Sequence, residues 1–574
     1  MGALRAAGSG RALWAAILLT ALALRLAGVT YGLPFVYHQD EPILVNHALA
    51  LGAGGPNPRF FVIPSFTIYL LFVVYAAIYL AGLVTGRYAV PEDLGLEYLK
   101  DPTLFYVSGR LVLGVLCGVL TVWALGRLVA RGRTDRTAVP ELSALLLAVL
   151  PLHVQHSHYL YADAPLTLAM TLLLWRCRRI LDRPDLVAYL WAGAVLGWGG
   201  SVKYTMIYAL PALVAVHVAA HGRRCLAPRP LVQAGLCGLS ALAVFTVFAP
   251  YTWLDRGGFM SSVREQAGAQ TYVGIGHHLL YSLAEGCGWP VLALAAYGGV
   301  RLWSRDRAWA GALTVFIVTY YAGNTWLGQP FARYMLPLTP VAALLAAEGW
   351  QGCREALRTP LARSLVLGLI VTATALPSVA FVRLLRQPDT RTECARWLSD
   401  HVPADSVIAL DSRYYGPHLK QNRGQIEQKF AYLDGQSGGP DAPRRKRLEL
   451  ALKAVEGERA YAVYTLIPGG EGALMRFLFQ KPAVSPDLAE IEREGIEYIV
   501  INHSEVLAPV HDWVRTHADR LERVAVFSPY KDGSRRTPID PHASTAAPHL
   551  IADILSRRLQ GPYLEVFRVK AVRS

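Results

Sequence analysis

Uncharged apolar runs long enough to cross a lipid bilayer recur along this chain until about Leu385 and then stop. LVLGVLCGVLTVWALG, LLLAVLPL and LTLAMTLLL are representative. A helix of roughly 20 apolar residues spans the hydrocarbon core, where only helices and closed barrels satisfy their own backbone groups. The pattern predicts a polytopic α-helical membrane domain over residues 1–385. From Arg386 onward the sequence turns charged and Pro/Gly-punctuated, so residues 386–574 are expected as a separate soluble domain. There TRTECARWLSDHV and DLAEIEREG read as helices, while SVIALD and IEYIVIN read as buried strands, which makes the domain α/β. GGPDAPRRKR and KDGSRRTPIDPHASTAAP read as mobile loops.

Charge orients the membrane domain. The net charge is +14, but the arginines lie in short loops between apolar runs, a membrane-topology pattern that does not point to nucleic acid. Of the seven cysteines only Cys394 falls in the soluble domain, so no disulfide framework can form within it. Arg5 and Arg11 precede an apolar run that lacks a cleavage site and is interrupted by Arg25. A retained first helix over residues 12–30 with a cytoplasmic N-terminus is therefore expected. The next run, residues 62–86, could span by length. Spanning would put Arg127, Arg131, Arg133 and Arg136 outside and Glu92, Asp93 and Glu97 inside, against the positive-inside bias. Read as a juxtamembrane helix, it leaves about 11 spans, as judged by length. The C-terminal domain is then extracytoplasmic.

The polar residues left over gather on that outer side. His38, Asp40 and Glu41 follow the first helix. His153, His156 and His158 end a later span, and Asp163 begins the next. Lys203 lies in SVKYT beside Tyr204, Arg333 in FARYMLPLTP, and His277 and His278 close a long outside loop. Plainer readings compete. Asp163 before Ala164-Pro165 is a reasonable helix cap, Lys203 and Arg333 can snorkel to headgroups, and the histidine spacings match no zinc motif.

DEPILVNHALAL followed by NPRFFVIPSFTIYLL resembles the first outside loop of polyprenyl-phosphate-dependent glycosyltransferases with the GT-C fold. That group includes the protein O-mannosyltransferases and the aminoarabinose transferases of lipid A (glycosyltransferase family 39). HSHYLYADAPLTLAMTLLL, GGSVKYT and FARYMLPLTP resemble its later polar positions. The resemblance covers most of residues 12–385 and implies an inverting sugar transfer on the outer face, in the envelope of a bacterial inner membrane. The donor would be a polyprenyl-phosphate sugar, and the acceptor a protein, lipid or glycan. The implied roles are Asp40 as base, Glu41 as its alternative, and Asp163 as a positioning group. Lys203 and Arg333 would bind the donor phosphate, while His38, His158, Tyr204, His277 and His278 are candidates for the cavity wall. No cofactor is required, and a divalent metal stays open. A secondary transporter or lipid-linked glycan flippase is the competing class, but the spans lack the central carboxylates such proteins use.

Overall fold

The computed structural model describes residues 2–131, 138–268, 274–328, 330–411, 416–434, 442–467, 482–503, 508–536 and 550–570. The first helix, α1 (Gly2–Leu26), carries Arg25 near its end. This arginine is completely buried and donates to the Ala21 and Ala148 carbonyls at 2.9 and 3.0 Å. Its Nη2 also sits 2.7 Å from His153 Nδ1. The charge that interrupts the first apolar run thus satisfies carbonyls freed where a later helix breaks at Pro151.

Three helices follow before the next long one: α2 (Glu41–Gly54), α3 (Phe66–Val84) and α4 (Pro91–Lys100). Then come α5 (Thr103–Ala130), α6 (Val139–Val149), α7 (Asp163–Asp182), α8 (Leu186–Val202), α9 (Tyr204–Arg224) and α10 (Pro228–Phe248). The set closes with α11 (Trp289–Arg305), α12 (Arg307–Trp326), α13 (Thr339–Ala356) and α14 (Pro360–Leu385). Among the described residues five helices are long and apolar enough to cross a membrane, α3, α5, α9, α10 and α14, or six if the bent pair His278–Cys287 and Trp289–Arg305 is one span. The arginine pattern reaches eleven only by adding shorter or more polar helices, such as α6 with 11 residues and α7 with its charged ends. Close backbone approach holds neighbours together. A Cβ on Gly193 or Gly197 of α8 would stand 2.1 Å from a carbonyl oxygen of α10, the small-residue packing that membrane helices favour.

The soluble part is a three-layer α/β unit. Its sheet has strands β1 (Val407–Leu410), β2 (Ala462–Leu466), β3 (Ala483–Val484), β4 (Tyr498–Asn502), β5 (Leu521–Phe527) and β6 (Leu564–Val569), in the order β3-β2-β1-β4-β6-β5. β1 to β4 are parallel, and β5 and β6 run antiparallel on one edge. Alternation along β1 sends Ile408 and Leu410 to the core under α15 (Thr390–His401) and Ala409 to the opposite core with Trp513. One expected loop is different: the basic run 444–447 lies in the first turns of α16 (Ala442–Val455). Buried Leu448, Leu450 and Ala454 give that segment an apolar face to dock, which its dense charge conceals. Residues 438–441 and 537–549, parts of the two expected mobile loops, lie outside the described residues.

α16 also bridges the helices on either side of α3. It packs on both α2 and α4; Arg447 donates to Asn46 Oδ1 at 2.9 Å, and Lys446 pairs with Glu92 at 3.1 Å. Tyr98 of α4 donates to the same Asn46. The helices before and after α3 therefore meet on one helix of the C-terminal domain.

Candidate active site

Two helix starts and two helix-breaking turns bring the site together. α2 opens with Glu41-Pro42, proline being favoured in the first turn, so Asp40 stands just ahead of it. α7 opens at Asp163 with Ala162 in the cap position. The capping role gives way to another, because the Asp163 carboxylate accepts from Lys203 Nζ at 2.6 Å. Lys203 is the extended residue between α8 and α9. Arg333 lies in the turn of 3-10 helix Ala332–Leu338, with Nη2 3.3 Å from Asp40 Oδ2 and Nε 3.8 Å from Asp163 Oδ2. Both cations point inward at carboxylates and are largely buried, so the snorkelling reading does not describe them.

The cleft around this cluster is lined by His38, His156, Tyr159, Tyr161, Asp163 and Arg333. About 210 Å³ of non-atom space lies in it, open solvent at its mouth included. Aromatic rings face the cations: Tyr334 lies 4.3 Å from Lys203 Nζ, and Phe331 lies 4.1 Å from the Arg333 guanidinium carbon. Such contacts contribute roughly 0.5–2 kcal/mol each while leaving the hydrogen-bond donors free. Arg333 Nε is buried and has no hydrogen-bond partner among the described residues. A buried donor of that kind costs free energy until an acceptor meets it.

His38 belongs to the cleft in two ways. Its ring lies 4.5 Å from that of Tyr159, and its Nδ1 accepts the Asp40 backbone N–H at 3.2 Å. Burial holds its pKa below the ordinary value, an effect only partly opposed by Glu41 and Asp40. The neutral imidazole that results is what the accepted N–H requires.

Glu41 lies elsewhere. Its carboxylate is completely buried and bidentate on Arg110, at 2.9 and 2.7 Å. It also accepts the Leu160 N–H at 2.9 Å. Arg110 in turn donates to the Val29 and Tyr31 carbonyls. With both oxygens committed inside the protein, Glu41 fastens α2, the first outside loop and the Tyr159 segment to one another. His158 is buried too, its ring nitrogens 2.8 and 3.1 Å from the Val154 and Ala27 carbonyls. Tyr204 packs on Phe259, and His277 sits 2.9 Å from the Pro330 carbonyl and stacks on Tyr281. His278 sits 2.9 Å from Ser282 Oγ. None of these last four lines the cleft.

Sequence reasoning missed Tyr159, Tyr161 and Tyr334, and it set His156, which lines the cleft, aside as one of three histidines with no metal spacing.

Comparison with known proteins follows this geometry. The family of dolichyl-phosphate-mannose-protein mannosyltransferases matches residues 107–251. A curated relative, the lipopolysaccharide core galacturonosyltransferase RgtA of Rhizobium johnstonii, is 26% identical over 357 residues, 58% of this chain. That match spans 61% of the relative's own length. The crystal structure of ArnT from Cupriavidus metallidurans superposes with a TM-score of 0.52 at 13% identity, covering 91% of this chain and 96% of ArnT. ArnT bound to undecaprenyl phosphate gives 0.51 at 12% identity, covering 97% and 98%. Likeness at that identity establishes architecture. The chain is a multi-pass membrane protein with the GT-C fold, the fold its resemblance to polyprenyl-phosphate-sugar glycosyltransferases implied.

Proposed function

We propose that this protein is an inverting glycosyltransferase. It moves a sugar from a polyprenyl-phosphate carrier to an acceptor on the extracytoplasmic side of the membrane. The observation that carries this is the ion-paired cluster of Asp40, Asp163, Lys203 and Arg333, of which Asp163 and Arg333 line the cleft. The chemistry needs both signs of charge at once. An acceptor hydroxyl attacks the anomeric carbon while Asp40, the more exposed carboxylate, takes its proton. The bond from that carbon to the phosphate oxygen breaks, and its electron pair leaves on the polyprenyl phosphate. Arg333 and Lys203 stabilise the charge that grows there. Asp163, nearly buried, holds the two cations in place.

The reading needs no metal, since two side-chain cations already face the leaving group. It places the N-terminus in the cytoplasm and the soluble domain outside, as the arginine loops direct. RgtA's name makes a uronic acid the first sugar to offer and an envelope glycan the first acceptor.

The test is turnover in lipid nanodiscs with a panel of polyprenyl-phosphate sugars and crude envelope acceptors. Wild type should consume one donor and release polyprenyl phosphate, with or without a chelator. Asp40→Asn should lose about 10²- to 10⁴-fold in rate, the range of a general base. Equal consumption by both proteins would remove Asp40 from the reaction, and loss on chelation would replace the metal-free scheme.

A further inference from the structure

We propose that Arg391, a residue of the soluble domain, is a positioning residue for Asp40 and acts through Tyr37; this rests on the reading of Asp40 as the base. Arg391 is completely buried, and its guanidinium carbon sits 3.8 Å from the centre of the Tyr37 ring. Asp389 fixes the plane of that guanidinium with two bonds of 2.8 Å. Removing an ion pair from water costs more than an apolar contact of the same shape, so a buried Arg–Asp pair stacked on a ring sets an orientation that a plain apolar plug would leave loose.

Everything else around Tyr37 serves the same end. Its hydroxyl lies 2.8 Å from Thr392 Oγ1, and the His418 ring meets it edge-on at 5.4 Å. Both partners also come from the soluble domain. On the remaining side the chain turns at Gly32 (φ 71°), where a Cβ would stand 2.9 Å from the Tyr37 ring. Four contacts thus fix the ring, and the next residue is His38. His38 accepts the Asp40 N–H and packs on Tyr159 of the cleft wall. A path of direct contacts therefore runs from Asp389 and Arg391 through Tyr37 and His38 to the base. Misplacing a reacting group by about 1 Å costs about 10²-fold in rate, so the soluble domain acts as part of the catalytic template.

The experiment uses the full-length protein in nanodiscs with the donor that wild type consumes. Tyr37→Leu and Arg391→Lys should each lower kcat about 10- to 100-fold, with the donor KM within about 3-fold of wild type. Tyr37→Phe, which keeps the ring under the guanidinium, should restore most of the rate. The double variant Tyr37→Leu/Arg391→Lys should be no slower than the worse single one, because both act through one contact. An unchanged kcat in Arg391→Lys would overturn the proposal. So would losses that multiply in the double variant and follow the fall in melting temperature. If wild type and Asp40→Asn consume the donor equally, Asp40 leaves the reaction and takes this inference with it. An active wild type with an inert Asp40→Asn and an unaffected Arg391→Lys defeats the inference alone.

Discussion

An aspartate and an arginine held 3.3 Å apart beside the cleft serve as counter-ions for each other. What keeps Asp40 in that position is its own backbone, tied to His38. Desolvation lowers the His38 pKa from 6.5, so the unfolded chain takes up this proton before the folded one does. The stabilisation is therefore complete above about pH 6.5 and declines as pH falls below it toward the lowered value. Protonated His38 cannot accept the N–H. The wild-type kcat should therefore hold through pH 6.5 and fall only as the folded protein passes its lowered His38 pKa. His38→Asn, whose side-chain carbonyl can accept the same N–H, should shift that fall to lower pH; a pH–rate profile identical in both would show that His38 takes no part. Glu41 belongs to a different class. Glu41→Gln breaks a fully buried ion pair, which costs about 3–5 kcal/mol. It should show as lost yield and a lower melting temperature, and a folded but inactive Glu41→Gln would return Glu41 to the chemistry.

The charged members of the cleft were legible in the sequence for a simple reason. In a chain whose arginines cluster in short loops between apolar runs, Asp40, Asp163, Lys203 and Arg333 are charges that fall outside that pattern. The tyrosines were not legible, because Tyr and Trp belong at membrane interfaces anyway, and a ring in a cleft looks like one in the belt. The histidines misled in the opposite direction. His158, His277 and His278 stand in the same loops as the cleft, yet each turns to a nearby carbonyl or hydroxyl that spacing cannot reveal.

At the scale of elements, α3 is the segment where length and charge disagree. It has 19 apolar residues, enough to cross, but α2 and α4 both pack on α16 and share Asn46. The arginine pattern pointed to a non-spanning helix from sequence alone, through the sign of loops on either side of it. A direct check replaces Cys225 and Cys353 with Ser and introduces Asn57→Cys or Arg87→Cys. A membrane-impermeant maleimide should label both positions from the same side of sealed vesicles, and labelling from opposite sides would make α3 a span. The α16 helix was hidden by composition. Four consecutive basic residues look like a solvated run, and the apolar face that makes them helical begins only at Leu448.

For the whole molecule, the soluble domain is attached at many points beyond the chain itself. Gln560 donates to the Leu385 and Gln387 carbonyls at 2.9 Å, the Ile551 N–H reaches Glu285 at 3.0 Å, and Arg447 reaches Asn46. These contacts fix the soluble domain to α2, to the end of α14 and to the segment ahead of α11. Sequence could place the boundary near Arg386, where apolar runs end, but the docking depends on single side chains far apart in the chain and left no periodic trace.

The most direct measurement is binding of undecaprenyl phosphate to the purified protein, read by native mass spectrometry, since it needs neither the sugar nor the acceptor. Wild type should bind saturably. Arg333→Ala and Lys203→Ala should each weaken binding about tenfold or more, the value of one charge-assisted hydrogen bond, while Asp40→Asn should bind at least as well as wild type. Equal affinity across wild type and both cation variants would contradict the account, because the cleft would then not be where the lipid phosphate sits.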